Sequence, residues 1–208
     1  MSAKKIGAAV AAVVIAAVAV VLLLGGGDGA QAEDTDGAFI TEMVPHHEMA
    51  IEMARVAQQR AEHPEIKQLA EDIIAAQQGE IQDLEDMHQR LYGEPVSDGE
   101  HGTLGLDAQM MGMSMDVSML ETAKPFDRAF IDKMIPHHQG AIQMARVELA
   151  EGQDQEAEDL ATAIVNAQSR EIEEMNSWRE KWYGAPSPAG GVPSAEETTL
   201  PSHDSMGH

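Results

Sequence analysis

From Met43 to Val56 the chain reads "MVPHHEMAIEMARV", and ninety-one residues later, from Met134 to Val147, it reads "MIPHHQGAIQMARV". Each copy sets two adjacent histidines behind a proline and ahead of apolar residues spaced three and four apart, the period of a half-buried helix. Working outward, Ala38–Pro95 aligns with Ala129–Pro186 without a gap, and about two-fifths of the positions are identical, down to the closing "YGEP" and "YGAP". Similarity at a fixed offset marks a repeated structural unit. Each copy predicts two helices: in the first, one from about Ala38 to Ala61, interrupted or kinked at Pro45, and one from about Glu65 to Leu91. The breaks fall at "EHPE" and "EGQDQE", and Gly93 followed by Pro95 ends the second helix. One such hairpin can hardly bury its apolar face alone. Two of them predict an all-α fold, a four-helix bundle. Composition agrees: aromatics are only 3 % of the chain against 43 % apolar residues, so alanine and methionine fill the interior, which suits close-packed helices better than a β-sandwich.

The repeats organise the rest. Residues 1–32 form an N-terminal anchor or signal segment, 38–95 the first hairpin and 96–124 a linker rich in methionine and glycine. Residues 125–186 form the second hairpin, and 187–208 have the composition of a disordered tail. Lys4 and Lys5 precede an uncharged run from Ile6 to Leu24, roughly 28 Å long as a helix. Basic residues on the short leading side place the following chain outside the cytoplasm. The expectation is a cell-membrane protein with a single transmembrane helix at 6–24, or a secreted one if cleavage follows Ala32. The formal net charge of −23 excludes nucleic acid as a partner, because phosphate binding needs clustered Lys and Arg. The same charge attracts cations. There is no cysteine, hence no disulfide and no lipid attachment site.

On a wheel of 100° per residue, His47 falls near the centre of the buried face of its helix with Ile40, Val44, Ile51, Ala54 and Gln58. His46 falls on the flank with Met53 and Phe39, so His47 points into the core and His46 lies at the rim. His138, His137 and Met144 repeat the assignment. In the second helix Gln77 and Glu80 land inside the stripe of Ile66, Leu69, Ala70, Ile73, Leu84 and Leu91, and Gln168 and Glu171 do so in the second copy. A carboxylate on a core face is costly unless paired, hydrogen-bonded or bound to metal. Histidine and glutamate therefore meet inside each hairpin. The plain reading is a polar clasp that fixes helix register, and methionines at helical spacing such as Met43, Met87, Met134 and Met175 are core filler.

The linker reads differently. Met110, Met111, Met113, Met115 and Met119 lie in a stretch without amphipathic period. Thioether sulfur selects Cu(I), and imidazole takes copper in either oxidation state. The tail adds His203, Met206 and His208, and His101 precedes the linker methionines. Histidine and methionine without cysteine, outside the cytoplasm, favour copper over zinc.

At these residues the sequence resembles a bacterial family catalogued as domain of unknown function 305, whose signature is "FI-x-x-M-I-P-H-H-Q-x-A-I-x-M-A" followed by "Q-x-x-E-I". The second copy matches at Phe130, Ile131, Met134, Ile135, Pro136, His137, His138, Gln139, Ala141, Ile142, Met144 and Ala145, then at Gln168, Glu171 and Ile172. The first copy departs at Glu48, where the family has glutamine, and at Val44. The resemblance implies a ferritin-like four-helix bundle in an exported or membrane-anchored protein. For some members, the CopM type, it also implies periplasmic copper binding.

The reading that joins these strands is a membrane-anchored protein that sequesters copper ion outside the cytoplasm. His46, His47 and Met53 bind in one copy and His137, His138 and Met144 in the other, while Met110, Met111, Met113 and Met115 load the metal. Gln77, Glu80, Gln168 and Glu171 orient the imidazoles through their other nitrogens. The alternative is a helical interaction module without metal, or a pH-sensitive bundle, in which the His–Glu pairs are structural. Neither names a protein partner. No nucleophile or phosphate cradle points to an enzyme.

Overall fold

A computed structural model describes residues 34–97, 101 and 103–194. The segments expected to anchor the chain, 6–24, and to carry the last histidines and methionine, 203–208, lie outside the described residues. Among the described residues no helix is long and apolar enough to cross a membrane, and no strand occurs. The elements are α1 (Thr35–Arg60), α2 (Pro64–Tyr92), a short α3 (Ser118–Thr122), α4 (Phe126–Glu151) and α5 (Gln155–Tyr183).

Local chemistry sets the boundaries. The Asp34 carboxylate accepts from the Gly37 N–H at 3.1 Å and caps α1, and Asp154 caps α5 by accepting from Ala157. Pro64 opens α2 at a position where its missing N–H costs nothing. Gly93 and Gly184 close the second helix of each hairpin in the left-handed conformation, at φ 79° and 85°. Of the interruption or kink expected at Pro45, the interruption does not occur: α1 runs unbroken through it, as α4 does through Pro136. A mid-helix proline costs about 3 kcal/mol, and the burial of both flanks outweighs it.

The hairpins α1–α2 and α4–α5 meet mainly through α1 against α4, while α2 and α5 touch only slightly. The first helix of each hairpin is thus gripped from two sides. It shows in burial: α1 and α4 bury fourteen and fifteen residues, α2 and α5 only eight and seven. Two apolar clusters result. One joins the second half of α1 (Ala50, Met53, Ala54) to the first half of α4 (Phe130, Ile131, Met134). The other joins the first half of α1 (Phe39, Ile40, Met43) to the second half of α4 (Ala141, Met144, Ala145). The histidine pairs fall between them in both helices.

Two carboxylates pin the hairpins together end to end. Asp36, near the start of α1, accepts from the N–H groups of Gln153 and Asp154 in the α4–α5 turn. Its counterpart Asp127 accepts from the N–H groups of Glu62 and His63 and contacts His63 Nδ1 at 2.6 Å. Reciprocal clamps follow from the antiparallel crossing of α1 and α4.

The linker is a packed strap. Leu104, Leu106 and Met111 join one cluster; Met115, Val117 and Leu120 join the other. It therefore passes from one cluster to the other, across the level of the histidines. Arg60 ties its end down through the carbonyls of Leu120 and Ala123. The early part of the expected disordered tail is also laid down: Gln139 donates to the carbonyls of Ala189 and Gly191, and Asn176 to Gly190.

Candidate metal centre

His46, His47, His137 and His138 are all fully buried. His47 Nε2 lies 2.9 Å from a Glu80 carboxylate oxygen, and His138 Nε2 lies 2.6 Å from Glu171. The expected meeting of inward histidine with inward glutamate is what the helices produce. Gln77 and Gln168 are buried one turn away, with side-chain atoms that meet no hydrogen-bond partner.

The placement of His46 and His137 at the rim is corrected. Their rings lie against each other, centroids 3.8 Å apart, at the crossing of α1 and α4. The two within-pair ring separations are nearly equal, 6.2 and 6.3 Å. That equality fits an approximate two-fold relation running between the two rings, which are tilted 37° to each other. The helical wheel knew one partner for each first helix, α2 or α5; the second partner buries the flank. For the same reason Met53 and Met144 sit wholly inside the apolar clusters. Each stands seven residues beyond the first histidine of its pair, roughly 10 Å along the helix axis, so neither is placed beside that ring. Gln58 and Leu91, expected on buried faces, are exposed.

The strap completes the centre. His46 Nε2 donates to the Met111 carbonyl at 2.9 Å. Gly140 makes this possible: a side chain there would collide with the Met111 carbonyl, and one at Gly112 would strike the Pro136 carbonyl. Met111, Met113 and Met115 are half-buried, while Met110 and Met119 reach solvent at 37 % and 60 % exposure.

Electrostatics keep the two touching rings neutral. Burial, with His47 adding to it, pulls His46 down to about 3, and burial together with His46 holds His137 well below the ordinary imidazole range. A neutral imidazole offers one N–H and one lone pair. With Nε2 donating to Met111, the lone pair of His46 is on Nδ1, which meets no partner, and neither nitrogen of His137 meets one. Unpartnered buried polar atoms cost about 1–3 kcal/mol each. Their neutrality and softness suit them to a metal ion that prefers imidazole and thioether. Among the described residues no group of three or more His, Cys, Asp and Glu side chains is arranged to hold a metal.

Two features escaped the sequence reading. Glu148 is fully buried, and burial, then the Asp36 carboxyl beside it, raises its carboxyl to about 8. Its aligned residue in the first copy is Ala57, so nothing in the repeat announces it. Glu85 and His88 carry the Glu-x-x-His spacing of inward di-metal carboxylate sites, but Glu85 is exposed and His88 turns toward Glu94 and His101.

Fold and centre together define a class: an all-helical protein of two repeated hairpins whose duplicated histidine pairs meet at the crossing of their first helices. The sequence model of the family described as a domain of unknown function, DUF305, matches residues 36–179, and the chain belongs to that family. Among solved structures it is similar to CopM, at 41 % identity to the Cu(I)-bound form over 72 % of this chain and 98 % of that one, with a TM-score of 0.63. CopM has also been solved in a Cu(II)-bound form and in Ag-bound forms. A DUF305 fragment from Deinococcus radiodurans is 31 % identical over 71 % of this chain and 96 % of its own, with a TM-score of 0.61. An uncharacterized protein of Acanthamoeba polyphaga mimivirus, L153, is 46 % identical over 54 residues, 26 % of this chain. The match spans about a third of that viral protein, 36 %.

Proposed function

We propose that this protein takes up Cu(I) as cargo at the buried histidine layer and acts as a store or carrier of copper outside the cytoplasm, not as a catalyst. One observation carries the reading. His46 Nδ1 and both nitrogens of His137 are enclosed, neutral and without partners, side by side at the hairpin crossing. A soft cation takes the one lone pair that each neutral ring offers. His46 and His137 hold the ion; Glu80 and Glu171 keep His47 and His138 oriented beside it. The solvent-reaching Met110 and the half-buried Met111, Met113 and Met115 supply thioethers along the approach. The copper- and silver-bound forms of CopM support this chemistry for a relative of the same fold. The net charge of −23 concentrates cations around the protein. The apolar run at 6–24 is consistent with export and anchoring.

The test is a Cu(I) titration against a competing chelator. Removing an outer partner of a metal-bound histidine already costs about 10–100-fold in affinity. The double variant His46→Ala, His137→Ala therefore loses at least about 100-fold at this site. Unchanged affinity and stoichiometry in that variant contradict the proposal.

A second reading has its own support. The His47–Glu80 and His138–Glu171 contacts, at 2.9 and 2.6 Å, form without any metal, although Nδ1 of each ring meets no partner. They make His47 and His138 structural: His47→Ala destabilises by about 1–3 kcal/mol by leaving Glu80 without its partner, equally with and without copper.

A further inference from the structure

The first hairpin carries a cluster that the second lacks. His88, near the end of α2, is fully buried, and its Nε2 lies 3.0 Å from the Nε2 of His101, whose side chain is 11 % exposed. The aligned residue of His88 is Arg179, that of Asp34 is Pro125, and that of Gly37 is Arg128. The arrangement is not inherited from the repeat.

One tautomer is dictated. His88 Nδ1 lies 2.8 Å from the Glu94 carbonyl, which only accepts, so that nitrogen carries the proton. His101 Nδ1 lies 3.0 Å from the Asp34 carboxylate, which also accepts. The other Asp34 oxygen already accepts from the Gly37 N–H and, at 2.8 Å, from the Tyr92 hydroxyl. With Nδ1 of His88 donating to Glu94, its Nε2 carries the lone pair and accepts a proton from His101 Nε2 at 3.0 Å, while His101 Nδ1 faces the Asp34 carboxylate. A cation that displaces this one proton meets a lone pair on each ring. At the equivalent place in the second hairpin the cation is permanent: Arg179 donates to the carbonyl of Ala185, which aligns with Glu94, and to Pro186.

The site is built rather than accidental. A side chain at Gly37 would collide with the His101 ring, and the Tyr92 ring packs against that ring with centroids 3.9 Å apart. An Nδ1–H held by a carbonyl in one ring and by a carboxylate in the other is the outer arrangement that metal-bound histidines show. Among the described residues no third ligand joins these two nitrogens, and two do not suit zinc, which takes four. They suit a monovalent soft ion content with two.

We propose that His88 and His101 form a second metal site, a bis-imidazole site for a soft monovalent cation such as Cu(I) or Ag(I), separate from the histidine layer. A proton is its competing occupant. With metal–nitrogen bonds of about 2.0 Å, a linear ion needs the nitrogens roughly 4 Å apart. The rings open by roughly 1 Å on loading, and His101, the less enclosed, moves. The proposal does not depend on the histidine layer binding metal.

The test uses Ag(I), which brings no redox change, with the full chain. Long-range proton–nitrogen correlation spectra of the histidine rings should show the Nε2 resonances of His88 and His101 shifting with added silver, with both Nδ1 protonated in the loaded state. Equilibrium dialysis should show His101→Ala and His88→Gln each binding one silver ion fewer than the parent chain. The double variant His46→Ala, His137→Ala should keep that ion. If the layer variant binds as the parent does while His101→Ala loses one ion, the layer reading fails and this one stands. Ring resonances that ignore silver and answer only to pH overturn the proposal, as does His101→Ala binding as many ions as the parent.

Discussion

Three buried side chains make stability depend on pH in opposite senses. His46, held at about 3 against an ordinary 6.5, and His137, held well below 6.5, stay neutral in the folded protein while the unfolded chain protonates them. Depressed histidines lose stability as pH falls below 6.5. Glu148 is raised from 4.5 to about 8, so the folded protein keeps a proton that the unfolded chain releases. Its contribution is full below 4.5 and is lost as pH rises toward 8. Between 4.5 and 6.5 the unfolded metal-free chain binds about one proton more than the folded one, and stability rises at up to about 1.4 kcal/mol per pH unit. Between 6.5 and 8 the sign reverses. Metal-free protein should be most stable near pH 6.5 in urea unfolding, and Glu148→Gln should turn the fall above 6.5 into a plateau. Glu148 lies among Asp36, Asp154 and Glu158, a crowding that spacing along one helix could not reveal.

At the scale of elements, a segment without period can still be tightly placed. The strap between the hairpins gave no helical or strand pattern, and its order comes from Leu104, Leu106, Val117 and Leu120 inserting into the two clusters and from Met111 lying on Gly140. Gly140→Ala should push the 108–112 turn off α4 and cost about 1–3 kcal/mol, with the Met111 bond to His46 lost. Gly79→Ala is the control within a helix: nothing lies near its added carbon. It should stabilise by about 0.5–1 kcal/mol. Chemical denaturation of the two variants, side by side, measures both signs. Helix existence, the break at Pro64 and the glycine caps were legible because they are local chemistry. The depth of His46 and Met53 was not, because a helical wheel shows how wide a buried face is only when every packing partner is known.

The whole molecule inherits its organisation from duplication. A fixed offset predicts two alike hairpins and, from them, a pseudo-two-fold meeting of α1 and α4. It does not say which residues lie at the axis; the touching rings of His46 and His137 do. The reciprocal clamps hold the crossing angle. Asp127→Ala strands the Glu62 and His63 N–H groups and should cost about 1–3 kcal/mol. It should also alter Trp182 fluorescence, since His63 stacks on that indole at 3.7 Å. The central claim is that the paired rings at this crossing are a copper site, and X-ray absorption at the copper edge of the full chain loaded with one equivalent of Cu(I) tests it most directly. The account predicts imidazole scattering around the metal that disappears in the His46→Ala, His137→Ala double variant. A first shell of sulfur alone, identical in parent and variant, would contradict it.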